Sequence, residues 1–291
     1  MLAGGGGGGA PADGGRAVSG ALYLDLDGTL LGAGASLLHD GEGAVSLLGV
    51  RAIEACLRAS VEVVLMSGRR RAQVAEDARL LGQTAFIYEA GCVLELDGEQ
   101  LWMTELVAGE RSVFEQIDDS GAPELLLAHY AGRLEYHDPW HRGREISHVF
   151  RGRVDAAEAD ALLREHGHGG LRLVDNGGVS TDVSNVGPQE LLRAYHLIPA
   201  GGSKAAAVAR HQRARGFRVA DTFAVGDSRE DLAVAEVVHT FWLVANALAS
   251  DPAMRGAASA GANVRVTAAG HGEGVYEAVI TTLAERRGAG A

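Results

Sequence analysis

Mostly apolar segments alternate with amphipathic stretches in the first and last thirds of the chain. The apolar segments predict buried strands at Ala21–Leu26, Val61–Met66, Ala85–Tyr88, Thr222–Val225 and Thr240–Val244. Apolar residues at helical spacing predict helices at Gly43–Ser60, Arg70–Leu81, Lys204–Arg215, Arg229–Val237 and Gly274–Ala284. This alternation predicts an α/β fold with a mostly parallel sheet and helices on both of its faces.

The middle of the chain lacks this tight alternation. More polar segments there predict strands at Glu124–His129, Arg133–His137, Ile146–Arg151, Leu171–Val174 and Val179–Asp182. Two helices are predicted among them, at Gly109–Asp118 and Asp155–His166. Such a mixture is typical of a separate α+β domain. We therefore expect a disordered Gly-rich tail over residues 1–19, a core domain formed by residues 20–96 and 186–291, and an inserted domain over residues 97–185.

Composition narrows the class of protein. The chain has 291 residues, of which 47% are hydrophobic and 22% charged, so it can bury a core. The net charge of -12 argues against nucleic acid as a partner. No apolar segment approaches the roughly 20 residues that span a bilayer, so no membrane association is expected. The start has no signal-peptide pattern, and Cys56 and Cys92 lie in apolar segments typical of reduced thiols. We therefore expect a cytoplasmic protein.

Polar residues that suit chemistry follow several predicted strands. Asp25–Leu30 places two carboxylates at alternate positions, then a glycine and a threonine, where the first strand ends. Met66–Arg69 and Gly226–Asp231 also follow apolar strands, and Gly201–Lys204 opens a predicted helix. Because open α/β sheets bind ligands at the carboxyl ends of their strands, we expect these segments to share one edge. Paired acids there suit a divalent cation and a nucleophile, while a helix N-terminus favours anions.

In chain order the four segments are Asp25–Leu30, Met66–Arg69, Gly201–Lys204 and Gly226–Asp231. In this order and spacing they resemble the first to fourth motifs of the haloacid dehalogenase-like superfamily of aspartate-nucleophile phosphatases. The insertion lies between the second and third motifs, where members with the larger α+β cap (C2 type) carry that cap. Cof-like sugar phosphatases, sucrose-phosphatase-like and mannosyl-3-phosphoglycerate-phosphatase-like enzymes, and phosphomannomutases belong to that group. The resemblance implies a Rossmann-like three-layer α/β/α core, a cap that selects the substrate, and Mg²⁺ as cofactor.

The resemblance and the chemistry of phosphate esters together assign roles to the acids. Asp25 would be the nucleophile that forms an aspartyl-phosphate, and Asp27 would protonate the leaving oxygen and then activate water. Mg²⁺ prefers oxygen ligands. The candidate ligands are the Asp25 side chain, the Asp27 carbonyl, Asp227 and Asp231, although an acid in a first helical turn, such as Asp231, is also stabilising without metal.

The remaining motif residues would bind phosphate. Gly28 and Thr29 would let the backbone approach the phosphate closely. Ser67, with Gly68, and Lys204 would bind the transferring phosphoryl oxygens. A capping role for Ser67 and a solvated lysine at 204 are the alternatives, but a lysine is electrostatically unfavourable at a helix N-terminus.

Two positions depart from the pattern of the cap-bearing relatives. Glu230 occupies the place where the fourth motif usually has asparagine, so either its side chain turns away or the phosphate environment differs. Ala90 replaces the asparagine of a second segment, Tyr88–Cys92. Both changes concern substrate contacts and leave the expected role of Asp25 intact.

A basic cluster in the predicted cap offers candidates for substrate recognition. Arg142, Arg144 and Arg151 lie between residues 133 and 153, together with several histidines. Arginine suits bidentate contact with a carboxylate or a second phosphate, but solvated arginines on exposed strand faces are the favoured explanation of the cluster. Pro139 separates His137 from His141, so no zinc site is expected.

These observations predict a Mg²⁺-dependent phosphatase that acts on a small phosphorylated sugar or a glycosyl-phosphoglycerate-type metabolite. A phosphomutase of sugar phosphates and a non-catalytic ligand-binding relative are the alternatives. The expected partner is the small phosphorylated metabolite alone, and the protein is expected to be a monomer or a homodimer.

Overall fold

The computed structural model describes residues 18–179, Val186 and residues 192–289. The strands of this part of the chain are β1 (Gly20–Asp25), β2 (Val61–Met66), β3 (Ala85–Tyr88), β4 (Val93–Leu96), β5 (Glu99–Trp102), β6 (Leu134–Tyr136), β7 (His148–Gly152), β8 (Leu171–Gly178), β9 (Arg193–Pro199), β10 (Thr222–Gly226), β11 (Thr240–Leu243) and β12 (Val264–Val266). The helices are α1 (Leu48–Arg58), α2 (Arg71–Leu80), α3 (Val113–Asp119), α4 (Ala122–His129), α5 (Ala156–Glu165), α6 (Lys204–Arg215), α7 (Arg229–Leu232), α8 (Ala245–Ser250), α9 (Met254–Ala260) and α10 (His271–Ala289).

The larger sheet has the strand order β12-β11-β10-β1-β2-β3-β4-β5. Neighbouring strands from β12 to β3 are parallel, whereas β4 pairs antiparallel with β3 and β5 pairs antiparallel with β4. Side chains alternate between the two faces of β1. Leu22 packs in the apolar cluster that includes Ile53 of α1 and Val279 of α10, and Tyr23 packs in the cluster that includes Val208 of α6. The predicted three-layer α/β/α core is therefore confirmed.

A second, antiparallel sheet forms the inserted cap, with the order β6-β7-β9-β8. Helices α3, α4 and α5 belong to the same insertion. Helix α5 begins where predicted, because the Asp155 side chain accepts hydrogen bonds from the backbone N–H groups of Ala157 and Glu158. The predicted α+β character of the insertion is confirmed.

Both predicted boundaries of the insertion lie too early in the sequence. Strand β5 pairs with β4 in the core sheet, so the core continues past residue 96 to Trp102. Strand β9 lies between β7 and β8, so the cap sheet continues past residue 185 to Pro199. Strand pairing decides both boundaries, and it joins segments that are far apart in sequence.

The prediction of a strand at Glu124–His129 is wrong, since this segment lies in helix α4. Pro123 stands in the first turn of that helix, where the missing N–H costs no hydrogen bond. Helices α1 and α3 begin later than predicted, at Leu48 and Val113. The predicted strand Val179–Asp182 lies outside the described residues, except Val179, which is not in a strand, and so does the predicted tail except for its last two residues.

Within the described part of the chain, no helix is both long and apolar enough to cross a bilayer.

Candidate active site

Neighbouring strands bring the first, second and fourth motifs together. Strand β1 lies between β2 and β10, with Asp25 opposite Met66 and Leu24 opposite Val225. Asp25, Ser67 and Asp227 therefore leave the sheet at the same edge, as predicted from the carboxyl ends of parallel strands.

Lys204 of the third motif completes this constellation. Its Nζ lies 2.7 Å from Asp25 Oδ1 and 2.6 Å from Asp231 Oδ1, and the side chain is 1% exposed. Helix α6 begins at Lys204, with the Ser203 side chain accepting a hydrogen bond from Ala206 N. A cation at a helix N-terminus is unfavourable, so the two carboxylates and not the helix hold Lys204 in place. It is also the only lysine in the sequence.

Asp25, Asp227 and Asp231 form an acidic cluster that suits a divalent cation. One carboxylate oxygen from each lies within 4.8 Å of the others. Burial, followed by the charge of Asp231, raises the pKa of Asp25 to about 7, although Lys204 acts in the opposite direction. Burial and the charge of Asp25 raise the pKa of Asp227 well above its usual value. Three carboxylates thus face one ammonium group, and a hard cation with oxygen ligands fits this excess of negative charge.

Asp231 orients the turn that presents Asp227. Its Oδ2 accepts hydrogen bonds from Ser228 Oγ at 2.6 Å, Ser228 N at 3.0 Å and Asp227 N at 3.2 Å. Its Oδ1 accepts the bond from Lys204. Both oxygens of Asp231 are therefore engaged by the protein, which gives it a structural role whether or not it also contacts a metal.

The loop after β1 approaches Asp227 closely because residue 28 is a glycine. Gly28 has a φ of +83°, and a β-carbon there would lie 2.3 Å from Asp227 Oδ2. Thr29 Oγ1 donates a hydrogen bond of 3.2 Å to Asp227 Oδ1. Asn246 Nδ2 donates a bond of 2.8 Å to the Gly28 carbonyl. The sequence analysis does not include Asn246, although its position in the first turn of α8, just beyond the end of β11, is the signal that points to it.

Asp27 is held away from the acidic cluster by an arginine of the second motif. Arg69 donates from Nε to Asp27 Oδ2 at 2.7 Å and from Nη2 to Oδ1 at 2.6 Å. Arg69 also contacts Asp77 at 2.9 Å, which fixes the guanidinium from its other side. The Asp27 side chain is 48% exposed, whereas Asp25 is buried. The two acids of the first motif therefore have different surroundings, as different chemical roles require.

Ser67 and Gly68 lie where the cap meets the core. Ser67 is buried, and its Oγ accepts a hydrogen bond of 3.1 Å from Arg69 N. Helix α2 begins at Arg71 with Arg70 at its N-cap, so Ser67 does not cap that helix, and the alternative role is wrong. The bond from Arg69 leaves the Ser67 hydroxyl proton available to a ligand. The Gly68 carbonyl accepts a bond of 2.9 Å from Arg144 Nη1 of the cap.

Arg144 links the cap to the core. Besides Gly68, its Nη1 donates to Glu89 Oε2 of the core at 2.9 Å and to Ser147 Oγ at 3.0 Å. The Arg144 side chain is 6% exposed and that of Glu89 is 1% exposed. The guanidinium is therefore engaged within the protein in this arrangement.

The other two cap arginines that were candidates for substrate binding, Arg142 and Arg151, are also paired with carboxylates. Arg151 Nε donates to Glu135 Oε1 at 2.7 Å, and the Arg151 side chain is buried. Arg142 lies 2.7 Å from Asp138 but remains 70% exposed. A role for these arginines in substrate binding stays a prediction. In the structure, each of them forms an ion pair within the cap.

Glu230 faces the start of α6 and the cap. Its Oε1 accepts a hydrogen bond of 3.2 Å from the Lys204 backbone N–H and lies 2.9 Å from Arg172 Nη2 of strand β8. Arg172 Nη2 also donates to the Gly202 carbonyl at 2.7 Å. The acid that stands in the usual asparagine position thus connects the third and fourth motifs to the cap.

Known proteins resemble the chain over most of its length. It is 26% identical over 238 residues to a curated phosphoglycolate phosphatase of Methanoculleus marisnigri, over 78% of this chain and 84% of that protein. The structure of sucrose-phosphatase from a Synechocystis species, in complex with sucrose and phosphate, matches with a TM-score of 0.60 at 14% identity, over 90% of this chain and 97% of that one. A haloacid dehalogenase-like hydrolase from B. subtilis matches with a TM-score of 0.55 at 17% identity, over 89% and 98%. No known protein-family profile matches the chain.

The chain therefore has the same fold as solved haloacid dehalogenase-like hydrolases, and the fold that the resemblance of its four motifs implied is confirmed. The match to the curated phosphatase supports assignment of the chain as a phosphoric monoester hydrolase.

Proposed function

We propose that the protein is a Mg²⁺-dependent phosphatase that hydrolyses a small phosphorylated sugar or glycosyl-phosphoglycerate-type metabolite through an aspartyl-phosphate on Asp25. The observation that carries this proposal is the position of Asp25, buried at the sheet edge and 2.7 Å from Lys204. A carboxylate held beside an ammonium group can approach a phosphate dianion that would repel an uncompensated nucleophile.

The residues divide the reaction into two steps. Asp25 attacks phosphorus, the bond from phosphorus to the leaving oxygen breaks, and Asp27 protonates that oxygen. Asp27 then removes a proton from water, which attacks the aspartyl-phosphate and releases inorganic phosphate. Lys204 and Ser67 would hold the equatorial phosphoryl oxygens in both steps.

Asp25, Asp227 and the Asp27 carbonyl would hold the Mg²⁺, with Asp231 orienting the loop that carries Asp227. When bound, the ion supplies charge neutralisation at the phosphoryl oxygens. Burial and the neighbouring carboxylates raise the pKa values of Asp25 and Asp227, and a bound cation would offset this repulsion, which supports their assignment as ligands.

A phosphate-release assay over sugar phosphates and phosphoglycerates, with Mg²⁺ or EDTA, tests the proposal. Asp25→Asn should reduce turnover by about 10³-fold or more, and EDTA should abolish turnover. Asp118→Asn, an exposed aspartate on α3, is the matched control. Turnover that survives Asp25→Asn or EDTA would contradict the mechanism. Phosphate transfer between sugar positions without free phosphate would favour a mutase, and no turnover at all would favour a binding protein.

We place the enzyme in the cytoplasm. The support is that Cys56 and Cys92 are buried and unpaired with each other, as reduced thiols are. Burial raises the pKa of the Cys56 thiol to about 12, so it is unreactive at neutral pH.

A further inference from the structure

Two polar side chains of the cap lie directly against the second motif. A β-carbon at Gly68 would lie 2.8 Å from His196 Nε2 and 2.9 Å from Asn176 Nδ2. His196 is on β9 and Asn176 on β8, so neighbouring cap strands supply them. Because Ser67 precedes Gly68, these two side chains lie beside the place proposed for the phosphoryl group. A leaving group that extends from this place toward the cap would reach them.

The hydrogen bonds around His196 determine which of its nitrogens carries the proton. Ser147 Oγ donates its only proton to Glu89 Oε2 and lies 3.1 Å from His196 Nδ1. Ser147 must therefore accept from His196, which places the proton on Nδ1. Burial, followed by the charges of Arg144 and Lys204, keeps the pKa of His196 well below its usual value, so the ring is neutral. Its Nε2 is then a hydrogen-bond acceptor with no protein partner among the residues that the structure describes.

Asn176 adds a group that can both donate and accept. Its Oδ1 is buried and has no hydrogen-bond partner in the described part of the chain. A buried amide oxygen without a partner is costly, and a bound ligand that donates to it would remove that cost. Nδ2 of the same amide supplies the complementary donor.

The charges nearby disfavour a carboxylate as the recognised group. Arg144 and Arg172, the arginines that reach the core beside this place, are paired with Glu89 and Glu230. An unprotonated His196 Nε2 would repel a carboxylate, since both offer only lone pairs. A hydroxyl can donate to Nε2 or to the amide oxygen and accept from the amide nitrogen.

We propose that His196 and Asn176 form a cap-borne subsite that recognises a hydroxyl on the leaving group, and that Ser147 and Glu89 position His196 for this contact. The proposal rests on the phosphatase function proposed above and specifies how that site selects substrates. The enzyme should therefore prefer phosphate esters of hydroxylated compounds over phosphoglycolate.

Steady-state kinetics with three kinds of ester test the subsite. Glucose 6-phosphate, mannose 6-phosphate and glycerol 3-phosphate carry hydroxyls, phosphoglycolate carries a carboxylate, and p-nitrophenyl phosphate carries neither. For the best hydroxylated ester, His196→Ala and Asn176→Ala should each lower kcat/KM by about 10- to 100-fold. For p-nitrophenyl phosphate the change should be under about threefold, because the reacting groups are intact.

Conservative and control variants separate recognition from folding. His196→Gln keeps a polar group at this place and should retain more activity toward the hydroxylated ester than His196→Ala. His166→Ala, at an exposed position of the cap, should change neither activity nor thermal unfolding. Asn176 is only partly buried, so Asn176→Ala is expected to fold even if a His196 variant does not.

The outcomes distinguish this subsite from the general function. Selective loss of hydroxylated esters in folded variants supports the subsite. Equal loss for every ester, no loss, or a wild-type preference for phosphoglycolate would overturn the subsite while leaving the phosphatase function intact. If the wild-type protein hydrolyses none of the esters, the proposed function fails and the subsite fails with it.

Discussion

Lys204 is placed where a lysine and not an arginine fits. Of the 26 lysine and arginine residues in the sequence, all except Lys204 are arginines. The buried cation between Asp25 and Asp231 is nevertheless this lysine. A compact ammonium can contact both carboxylates in a space that excludes solvent, whereas a planar guanidinium is larger and has fixed donor directions. The residue type at position 204 is therefore a specific requirement of the site.

We expect Lys204→Arg to lower kcat/KM by about 10²-fold or more, because misplacing a charge at a transferring phosphoryl group removes electrostatic stabilisation. It should also lower the melting temperature, since a larger side chain must enter a packed site. Phosphate release and thermal unfolding measure the two effects. Arg58→Lys, an exposed exchange beside Glu54, is the control and should change neither. Wild-type kinetics in Lys204→Arg would contradict the assigned role.

In the proposed mechanism, Asp27 first protonates the leaving oxygen and then activates water, and a leaving group that needs no proton separates these two roles. A p-nitrophenolate leaving group needs no proton, so Asp27→Asn should still form the aspartyl-phosphate from p-nitrophenyl phosphate, but it should hydrolyse that intermediate slowly. Rapid-mixing kinetics should then show a burst of p-nitrophenol, about one per enzyme, before slow turnover. Asp77→Asn, which removes only the outer contact of Arg69, should show no burst. A burst-free loss of activity in Asp27→Asn would contradict this division of roles.

Cap histidines make the stability of the cap sheet dependent on pH. Burial, together with the charges of Arg151 and Arg144, lowers the pKa of His137 to about 4, and burial also lowers the pKa of His148 and His196. Below the ordinary histidine pKa of about 6.5, the unfolded chain binds protons that the folded cap does not. The free energy of unfolding should therefore fall as the pH drops from about 6.5 to about 4.

His137→Gln should flatten this pH dependence by up to about 3 kcal/mol, the contribution of one histidine shifted over that range. Urea unfolding at pH 7, 5.5 and 4.5 measures the difference from the wild type. His166→Gln, at an exposed position, should follow the wild-type curve. If the free energy of unfolding of His137→Gln depends on pH as that of the wild type does, His137 is not kept neutral in the folded cap.

Elements formed by local patterns could be predicted from the sequence, whereas those defined by distant pairing could not. Strand β1 is a buried apolar segment with two acids at and just after its end, so the local sequence predicts both the strand and the acidic site. Strand β9 directly precedes α6 and would fit a core β/α unit, but pairing with β7 and β8 places it in the cap. Helix α4 contains consecutive leucines that suit a strand as well as a helix, and Pro123 in its first turn was the overlooked signal. The contact of His196 with Gly68 depends on the cap's orientation, which no local pattern encodes.

At the scale of the whole molecule, a buried ion pair and a partly buried one help to hold the cap against the core. Arg144 pairs with Glu89, and Arg172 pairs with Glu230, so each joins a cap arginine to a core glutamate. In the proposed function the substrate enters between cap and core, so we expect these contacts to influence how often the site opens. The glutamate at position 230, unusual for the fourth motif, gives this protein a contact that an asparagine could make only without charge.

We expect Glu230→Gln to weaken this closure, because leaving Arg172 without its carboxylate removes a partly buried ion pair. Amide hydrogen exchange in β8 should become about tenfold faster, the effect of about 1.4 kcal/mol on the opening equilibrium. Exchange in the central core strand β1 should not change, since its hydrogen bonds do not depend on the cap. Glu285→Gln, which removes an exposed ion pair within the core, is the matched control. Equal exchange rates in β8 for the wild type and Glu230→Gln would mean that this ion pair does not control cap opening.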